Sequence, residues 1–472
     1  MDRRTKIVAT IGPASRSRGP LGGLIKAGVD VVRLNFAHDK LEAHEEAAAL
    51  ARELASEQSR VVGVLVDLPG PKMRIGEIAG GEVELRPGDS FVLTGKDILG
   101  DSAECSTTVD GLSGMVDAGE EILLNDGQLI LQVEAVKGED VHTTVIRGGT
   151  LRSRKGMHVP GAERSVEAFT EDDREALKGA LELKADLIGL SFVRDAEDIE
   201  RARAALPKRG HRPLIVAKIE TRSALQHLDA IAEAADAVMV ARGDLGIQTP
   251  LSRVPLLQKQ IIRICNQLGR PVITATQMLE SMTRSPLPTR AEVADVANAV
   301  LDGTDALMLS EETAVGQHAL ETVRTMAETA IAAEQGRPLA EPAEPHSRGD
   351  HVSWAVAHAA VEAATDLRVS AILCPTRSGS TARRVAAYRP SMQIVGLSSR
   401  SETLGGLALS WGVLPLATED LPEALDMRDE VERAVVAARS AGVVQSGDLV
   451  TVVAGSPGPR AGRTDFMRVV RA

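Results

Sequence analysis

The sequence predicts an α/β protein built around a TIM (β/α)8 barrel, with a small all-β domain inserted after the third strand and an α/β domain at the C-terminus. Eight short, almost continuously apolar runs alternate with helix-length segments, as buried parallel strands and their connecting helices do. A stretch rich in Gly, Val, Thr and Asp, without helical periodicity, interrupts the alternation at residues 76–160. Aromatic residues make up only 2% of the chain, so the cores must consist of Val, Ile, Leu, Ala and Met, as barrel interiors do.

Three of the strand-like runs precede the interruption. They lie at residues 5–12, 29–36 and 61–67, and an Ala- and Glu-rich helical segment at residues 41–58 separates the last two. Inside the interrupting segment, turn signals such as Asn125-Asp126-Gly127 indicate hairpins and therefore an all-β domain. The Asp126-Gly127 turn would suit a lid that closes over a site at the barrel mouth.

The alternation resumes at Thr170, where the pattern Thr170-x-x-Asp173 predicts the start of a helix. The five remaining strand-like runs follow at residues 185–192, 213–220, 235–243, 271–277 and 304–310. Eight βα units favour a closed barrel over the alternative, an open doubly wound sheet.

Residues 337–350 are rich in Pro, Gly and charge, which indicates a linker. Beyond it, the sequence predicts a helix at residues 352–366 and four strands, at residues 370–374, 393–397, 412–416 and 448–453. The predicted domains are the first part of the barrel (1–75), the inserted lid domain (76–160), the second part of the barrel (161–336), the linker (337–350) and the C-terminal regulatory domain (351–472).

The chain of 472 residues carries a net charge of −12. Such an acidic chain is poorly suited to nucleic acid over a broad surface, although a local basic pocket can still bind a small phosphorylated ligand. The N-terminus lacks the long apolar region of a signal peptide, and no apolar stretch reaches the ~18 residues of a membrane span. Cys105, Cys265 and Cys374 are far apart and odd in number, which favours reduced thiols. We expect a cytoplasmic protein that binds neither nucleic acid nor membranes.

Polar residues follow six of the predicted barrel strands, at the end of a barrel where active sites lie. Lys218 can extend its ammonium group to solvent, and Arg33 can form a structural ion pair. Glu220 and Asp244 can cap helices. The convergence of several such groups on one mouth nevertheless favours a catalytic site. The groups are Arg33, Asn35, His38, Asp67, Lys72, Arg74, Lys218, Glu220, Asp244, Thr276, Glu311 and Glu312.

These groups suit phosphoryl transfer. Glu220 and Asp244, at adjacent strand ends, supply the oxygen ligands that Mg²⁺ prefers. Arg33, Arg74 and Lys218 can hold a transferring phosphoryl group and offset its charge.

Two features suit a second anionic group on the same substrate. Residues 243–246 open a helix whose N–H groups can bind a carboxylate or phosphate. Thr276 can bond a carboxylate oxygen or orient a water molecule.

The blocks that carry these residues resemble those of the pyruvate kinase family, in the family's order. They are TKIVATIGPAS, VVRLNFAH, GPKMR, KGMHVPG, IVAKIE, MVARGDLG, PVITATQMLESM and PTRAEVADVANAVLDGTDALMLSEETA. The resemblance covers nearly the whole chain, and the succession IVAKIE, ARGDLG, TATQMLESM is highly specific. It implies an enzyme that uses Mg²⁺ (or Mn²⁺) and transfers the phosphoryl group of phosphoenolpyruvate to ADP, giving pyruvate and ATP in the last step of glycolysis.

The resemblance also implies residue roles. Glu220 and Asp244 would bind the Mg²⁺ that bridges phosphoenolpyruvate. Arg33 and Lys218 would contact the transferring phosphoryl group, and Lys218 would also stabilise the enolate. The substrate carboxylate would be held by Gly243, Asp244 and Thr276, and a water near Thr276 would deliver a proton to the enolate carbon. Residues near the phosphoryl path or the nucleotide would be Asn35, His38, Arg74, Lys155 and Pro13.

Three departures from the family pattern cluster in one place. Many members carry Ser, Thr and Glu where this chain has Ala37, Leu68 and Lys72, and in those members a hydroxyl, an Asn, an Asp and a backbone carbonyl hold K⁺. Asn35 and Asp67 remain here, but Ala37 offers no side-chain oxygen and Lys72 brings an ammonium group. Our hypothesis is that Lys72 replaces K⁺. The alternative is that Lys72 is a solvated loop lysine and that K⁺ still binds.

The C-terminal domain resembles the family's regulatory domain. Residues 376–383 follow a strand and open a helix, so hydroxyls, amides and a helix N-terminus would form a phosphate site for an effector, at Thr376, Ser378, Gly379, Ser380 and Thr381. The loop at residues 455–462 would fold over it. A sugar phosphate and a nucleoside monophosphate both suit such a site, and a plain strand–turn–helix is the alternative. The resemblance implies a homotetramer.

Two other functions compete with this interpretation. One is another metal-dependent barrel enzyme that acts on an enolpyruvate-like substrate, but it would need neither the inserted domain nor the C-terminal phosphate site. The other is a catalytically silent paralogue that binds metabolites, but such a protein has no reason to keep Arg33, Lys218 and Glu220 together. Glu311 stands where the family commonly has Gly, and nothing in the sequence explains it.

Overall fold

The structure, a computed structural model of the chain, describes residues 3–71, 73–109, 111–125, 127–159, 167–336, 350–419, 427–456 and 463–472. Its first elements form two βα units and a third strand. They are β1 (Lys6–Thr10), α1 (Arg18–Ala27), β2 (Val31–Asn35), α2 (Leu41–Glu57) and β3 (Gly63–Asp67). The three strands are parallel neighbours, with Val8 beside Val31 and Arg33 beside Leu65.

An all-β segment follows β3. Its strands are β4 (Glu82–Leu85), β5 (Ser90–Thr94), β6 (Glu104–Ser106), β7 (Glu121–Leu124), β8 (Leu129–Lys137), β9 (Asp140–Arg147), β10 (Gly149–Arg152) and β11 (Met157–His158). They form a six-stranded sheet, β11-β7-β8-β9-β5-β6, and a two-stranded sheet, β10-β4. Side chains such as Phe91, Leu131 and Val141 form a core separate from that of the barrel. The predicted all-β insertion is confirmed, whereas its limits stay a prediction because residues 160–166 lie outside the described residues. Asp126 of the predicted lid turn also lies outside them.

The second part of the barrel begins at Thr170, whose side chain accepts from the N–H of Asp173 in the predicted capping box. The elements are α3 (Glu171–Glu182), β12 (Leu187–Leu190), α4 (Ala196–Ala205), β13 (Leu214–Ile219), α5 (Arg222–Gln226), α6 (Leu228–Ala234), β14 (Ala237–Ala241), α7 (Arg242–Gln248), α8 (Val254–Leu268), β15 (Val272–Ala275), α9 (Arg290–Asp302), β16 (Ala306–Leu309), α10 (Glu311–Ala314) and α11 (Ala319–Gly336).

Eight strands close into a parallel barrel in the order β1-β2-β3-β12-β13-β14-β15-β16, and β16 returns to pair with β1. This confirms the barrel and rejects the open sheet. Its interior is filled by aliphatic side chains such as Val8, Leu65, Met239 and Ile273. The carboxyl ends of all eight strands therefore meet at one mouth.

The C-terminal domain is a sheet with helices on both faces. Its elements are α12 (His351–Asp366), β17 (Ala371–Pro375), α13 (Ser380–Ala387), β18 (Gln393–Ser398), α14 (Ser401–Leu407), β19 (Val413–Ala417), α15 (Met427–Ser440), β20 (Leu449–Ala454) and β21 (Phe466–Arg471). The strand order is β19-β18-β17-β20-β21, and only β21 is antiparallel among these described strands. The four predicted strands are confirmed, whereas β21, half-exposed and without apolar continuity, was not predicted.

The C-terminal domain closes the floor of the barrel, opposite the mouth. Ala408 and Leu409, directly after α14, belong to the same buried cluster as the barrel interior. Arg389 of this domain binds Asp305, just before β16, with Nη1–Oδ1 and Nη2–Oδ2 distances of 2.9 and 3.1 Å. The two domains therefore share a core and a buried ion pair. Residues 337–349, most of the predicted linker, lie outside the described residues.

Two expectations from composition concern the whole chain. Cys105, Cys265 and Cys374 are buried and form no disulfide, as predicted. Within the described residues, none of the helices has the length and apolar character needed to cross a membrane.

Candidate active site

The residues that follow two barrel strands adopt unusual backbone conformations. Phe192, just after β12, has φ of 53°, and Thr276 and Gln277, after β15, have φ of 74° and 56°. Residues other than glycine rarely occupy this left-handed region, and such strain is concentrated at functional sites. The Phe192 N–H donates to Glu220 Oε2 at 2.7 Å, so this turn orients a predicted metal ligand.

Four charged side chains form a buried cluster at the barrel mouth. Lys218 Nζ lies 2.9 Å from Glu220 Oε1 and 3.3 Å from Asp67 Oδ1. Arg33 approaches the same aspartate, and its Nε and Nη2 donate to Asp67 Oδ2 at 2.9 and 2.5 Å. Asp67 and Glu220 are each only 1% exposed, so their charges depend on these partners. The structure thus joins four predicted site residues in one ion network.

The pKa values in this cluster follow from burial and charge together. Burial disfavours the charged form of Lys218, but the carboxylates of Asp67 and Glu220 outweigh it and raise the pKa of Lys218. Burial also opposes ionisation of Asp67, yet Lys218 and Arg33 hold its pKa below the usual value. The lysine therefore stays an ammonium group and the aspartate a carboxylate at neutral pH.

Ser191 also orients the lysine and was missed by the sequence analysis. Lys218 Nζ donates to Ser191 Oγ at 2.8 Å, and that hydroxyl donates to the carbonyl of Leu68 at 2.9 Å. Ser191 follows β12, so it is a polar residue at a strand end, the same signal that identified the other candidates. Thr10, at the end of β1, accepts from Arg33 Nη1 at 3.0 Å. It was also missed, although it too is a polar residue at a strand end.

Asp244, Gly243 and Thr276 lie together on the neighbouring strand ends. Asp244 is in the first turn of α7, and its charge contributes to the raised pKa of Lys218. A Cβ atom on residue 243 would lie 2.9 Å from Thr276 Cγ2, so only glycine permits this approach. Arg242 fixes the two strand ends by donating to the carbonyls of Ala275 at 3.0 Å and Thr276 at 2.6 Å.

Glu220 and Asp244 fit a divalent cation that is bound together with a substrate. Among the described residues, no group of three or more His, Cys, Asp or Glu side chains could hold a metal. Mg²⁺ is commonly held by one or two carboxylates and completes its octahedron with water and substrate phosphate oxygens. Glu220, which is paired with Lys218, and Asp244, whose charge acts on the same lysine, match that pattern.

Arg74 and Lys155 lie where the inserted domain joins the barrel. Arg74 forms an isolated bridge with Gly156, and its Nη1 donates to the carbonyl of Arg154 at 2.8 Å. The carbonyl of Lys155 accepts from the N–H of Ile75 at 3.1 Å. Beside them lies a cavity of about 210 Å³ between the inserted domain and the barrel, with Arg74 and Asp244 both in its lining.

The other predicted nucleotide residues lie at the end of β2, after it, and after β1. Asn35 Oδ1 accepts from the N–H of Ala37 at 3.1 Å. Pro13 and His38 are exposed at the rim of the mouth. Lys72 lies outside the described residues.

Glu311 and Glu312 differ in environment. Glu311 is exposed at the start of α10, and nothing in the structure explains its presence there. Glu312 is buried and accepts from the N–H groups of Ser310 and Leu279, at 2.6 and 3.3 Å, and burial raises its pKa. Glu312 therefore stabilises the loops after two strands.

The predicted effector residues surround the N-terminus of α13. Thr376 Oγ1 accepts from the N–H of Gly379 at 3.0 Å, and Gly379 has φ of 78°. The hydroxyls of Ser378 and Ser380 lie 3.1 Å apart. Thr381 is buried, and its hydroxyl lies 2.9 Å from that of Thr464, so this hydroxyl faces the domain interior. Residues 457–462 of the predicted covering loop lie outside the described residues.

Comparisons with known proteins agree with this geometry. The family model "Pyruvate kinase, barrel domain" matches residues 2–323, and "Pyruvate kinase, alpha/beta domain" matches residues 354–470. A pyruvate kinase of Geobacillus stearothermophilus is 43% identical over 99% of this chain and 80% of the relative. Pyruvate kinases of Thermococcus litoralis and Mycobacterium tuberculosis are each 39% identical, over 99% and 100% of this chain and 98% and 99% of the relatives. With both family models matched in order and this identity across its length, the chain belongs to the pyruvate kinase family.

Proposed function

We propose that this chain is a phosphotransferase that moves the phosphoryl group of phosphoenolpyruvate to ADP and releases pyruvate and ATP. The observation that carries the proposal is the buried network of Arg33, Asp67, Lys218 and Glu220 at the mouth of the barrel. It holds two cations beside a candidate metal ligand, as phosphoryl transfer requires.

In this proposal, Glu220 and Asp244 hold Mg²⁺, and Mn²⁺ would suit the same oxygen ligands. The bound cation supplies positive charge that neutralises substrate oxygens during transfer. Because Glu220 Oε1 is 2.9 Å from Lys218 Nζ, the lysine lies next to whatever this carboxylate binds.

Arg33 and Lys218 contact the transferring phosphoryl group. The bond between phosphorus and the enol oxygen breaks while a β-phosphate oxygen of ADP bonds to phosphorus. The enol oxygen keeps the electron pair, and the ammonium group of Lys218, held charged by Asp67 and Glu220, stabilises the resulting enolate. Arg74 stands on the side of the inserted domain and offsets charge along the same path.

The substrate carboxylate is held by Gly243, Asp244 and Thr276. The close approach of Gly243 to Thr276 supports this role. It brings the N–H groups at the start of α7 near the Thr276 hydroxyl, which lies just after β15. A water near Thr276 delivers a proton to the enolate carbon, which completes pyruvate.

The nucleotide lies on the other side of the transferring group. Its contacts come from the rim of the barrel and from the inserted domain, which closes over the site as a lid and excludes water. The adjoining cavity of about 210 Å³ leaves room for that motion. The residues proposed for the nucleotide are Asn35, His38, Arg74, Lys155 and Pro13.

The enzyme needs no added K⁺ in this proposal. Lys72 brings an ammonium group where many family members have Glu, and Ala37 lacks a side-chain oxygen. The other oxygens that would surround a monovalent cation are engaged within the protein. Asn35 Oδ1 accepts from the Ala37 N–H, the Leu68 carbonyl accepts from Ser191, and Asp67 is paired with two cations.

Regulation is proposed at the C-terminal domain. The predicted effector residues Thr376, Ser378, Gly379, Ser380 and Thr381 form the turn that leads into α13. The hydroxyls of Ser378 and Ser380 and the N–H groups at the helix start are offered to the phosphate of an effector, whereas the Thr381 hydroxyl bonds Thr464 in the domain interior. The homotetramer expected from the family and the cytoplasmic location expected from the sequence stay predictions.

The test measures pyruvate formed from phosphoenolpyruvate and ADP with Mg²⁺, with and without K⁺, all other monovalent cations being large organic ones. Equal activity in both buffers supports the kinase and the role of Lys72. Activity only with K⁺ keeps the kinase and rejects that role. No pyruvate from folded protein, with phosphorylated effectors present, favours the silent paralogue.

Lys72→Glu provides the matched variant. It is expected to lose activity in the K⁺-free buffer and to regain part of it when K⁺ is added. A wild-type rate for this variant without K⁺ would contradict the role of Lys72.

A further inference from the structure

Gln248 is a buried polar residue that the proposed mechanism does not use. It is the last residue of α7 and is only 4% exposed. It lies four residues after Asp244, one helical turn further along the same face. A displacement of Gln248 would therefore also displace Asp244, the proposed metal ligand one helical turn earlier.

Gln248 is bonded to the segment that carries the other proposed ligand. Its Oε1 accepts from the backbone N–H of Arg222 at 2.6 Å, and its carbonyl accepts from Arg222 Nη2 at 2.8 Å. Arg222 is two residues after Glu220. Between them, Thr221 is buried and donates its hydroxyl to the carbonyl of Val193 at 3.0 Å, so this segment is itself fixed to the barrel.

We propose that Gln248 is a positioning residue that sets the separation of Glu220 and Asp244 and so prepares them for one divalent cation. The inference rests on the metal role proposed above for these two carboxylates. Mg²⁺ demands near-ideal octahedral geometry at ~2.0–2.1 Å, so a small shift of one carboxylate weakens binding. Glu220 is held independently by the Phe192 N–H, and Arg242 fixes the start of α7. The end of α7 is therefore the part whose placement depends on Gln248.

The two ends of the Gln248 amide differ in use. Oε1 and the backbone carbonyl make the bonds to Arg222, whereas Nε2 has no hydrogen-bond partner among the described residues. A glutamate at this position would therefore keep both hydrogen bonds to Arg222. It would lose only the NH2 group, which takes no part in those bonds. This difference separates the positioning role from any role of the amide N–H in the adjoining cavity.

The experiment measures Mn²⁺ binding to the full chain without substrates, from the electron paramagnetic resonance signal of free Mn²⁺. Gln248→Met is expected to weaken binding by ~10–100-fold, the usual effect of removing a residue that orients a metal ligand. Gln248→Glu is expected to bind at least as tightly as wild type. Gln58→Met is the control, because Gln58 also bonds a backbone group, donating from Nε2 to the Gly22 carbonyl at 3.1 Å between two outer helices.

The outcomes separate the inference from the proposed function. Unchanged Mn²⁺ affinity in Gln248→Met, with binding lost in Glu220→Ala, overturns the inference and leaves the metal site standing. Weak binding in Gln248→Glu equal to that of Gln248→Met also overturns it. Unchanged affinity in Glu220→Ala and Asp244→Ala rejects the proposed metal site itself. If Gln248→Met does not fold, Arg222→Met replaces it, because it removes only the bond from the Arg222 guanidinium group to the Gln248 carbonyl. Mn²⁺ binding to Arg222→Met is expected to weaken several-fold. Unchanged Mn²⁺ affinity in that variant overturns the inference.

Discussion

Lys218 is a lysine with only 11% of its side chain exposed, and it keeps its charge because carboxylates surround it. Burial alone would favour the neutral amine, and the pKa of Lys218 is instead raised by Asp67 and Glu220. Its third partner, Ser191, contributes no charge but fixes the direction of the ammonium group through a bond of 2.8 Å. The charge of Lys218 thus depends on Asp67 and Glu220, whereas the orientation of its ammonium group depends on Ser191. A substitution can therefore change one property without the other.

Ser191→Ala tests whether Ser191 orients the ammonium group of Lys218. A hydrogen bond that involves a charged group is worth about 1.5–3 kcal/mol, so kcat should fall by about 10- to 150-fold. The KM for phosphoenolpyruvate should change little, because the ion pairs to Asp67 and Glu220 remain. Steady-state kinetics at saturating ADP measure both. A rise in KM with unchanged kcat would contradict an orienting role in the chemical step.

Asp186, at the floor of the barrel, gives a prediction about pH. Burial raises the pKa of Asp186 to about 7, although its Oδ2 accepts from the Val64 N–H at 2.8 Å. The folded state therefore binds this proton more tightly than the unfolded chain. The free energy of unfolding should fall as the pH rises from about 4 to about 7, by at most about 1.4 kcal/mol per pH unit.

Asp186→Asn removes this titration. The Tm of the wild type minus that of the variant should decrease between pH 5 and pH 8, because other titrating groups are common to both proteins. A constant difference across this range would show that Asp186 ionises normally.

Helix α14 shows how closely the C-terminal domain approaches the barrel floor. A Cβ atom on Gly405 would lie 2.2 Å from the Asp186 carboxyl carbon. Residue 406 has the same constraint, since a Cβ there would lie 2.8 Å from Leu214 Cδ1. The two glycines let this helix lie directly on the ends of the barrel strands.

Gly405→Ala should therefore lower the free energy of unfolding, by about 1–3 kcal/mol, because the helix must move away from the floor. Gly23→Ala is the matched control in α1, where a Cβ would meet Leu320 Cδ1 and Cδ2 at ordinary distances of 3.7 and 3.9 Å. That variant should be stabilised by up to about 1 kcal/mol, as alanine is the better helix former. Thermal denaturation of both measures the sign of each change, and equal effects would contradict the packing argument.

Elements were predictable where periodicity was strong. All eight barrel strands were located, but each is shorter than predicted. Seven lose residues at both ends, whereas β3 is shorter only at its start, and polar ends such as Asn35 and Asp67 remain paired in the ladder. Asp67 and Lys218 illustrate the limit: the sequence marks both as polar strand ends but gives no distance between them. The contact of Gln248 with Arg222 could not be predicted, because it joins the ends of two short helices through a backbone N–H that any residue other than proline provides.

At the scale of the whole molecule, one buried ion pair connects the two large domains. Asp305 and Arg389 are only 8% and 9% exposed at their side chains, and Arg389 also stacks over Trp411, with its Cζ 4.9 Å from the ring centre. The Asp305 carboxylate also accepts from the N–H groups of Val272 and Trp411. The start of β16 and the C-terminal domain are thereby joined at one carboxylate.

Arg389→Met should lower the free energy of unfolding by about 3–5 kcal/mol, because it leaves Asp305 buried without its cation. The emission of Trp411 should change as well, since the guanidinium group no longer covers its ring. Arg152→Met is the control, because the exposed pair of Arg152 with Glu82 is worth at most about 1 kcal/mol. Equal Tm values for the two variants would contradict a junction held by this pair.

The domain order followed from the sequence because the inserted segment lacks the barrel's periodicity, whereas the way the domains meet did not. Leu409 enters the barrel core from another domain, and nothing in its local sequence distinguishes it from a residue of its own domain's core. The edge strand β21 was missed for a related reason, since half-exposed strands carry little apolar signal.

The measurement that tests the central claim most directly is the rate of pyruvate formation by Lys218→Met, with phosphoenolpyruvate, ADP and Mg²⁺. If Lys218 stabilises the charge that develops on the enol oxygen, the rate should fall by at least ~10²-fold while Mn²⁺ binding is retained. Lys178→Met, which removes an exposed lysine of α3, should keep the wild-type rate. A Lys218→Met rate within tenfold of wild type would contradict the claim that this buried cluster carries out phosphoryl transfer.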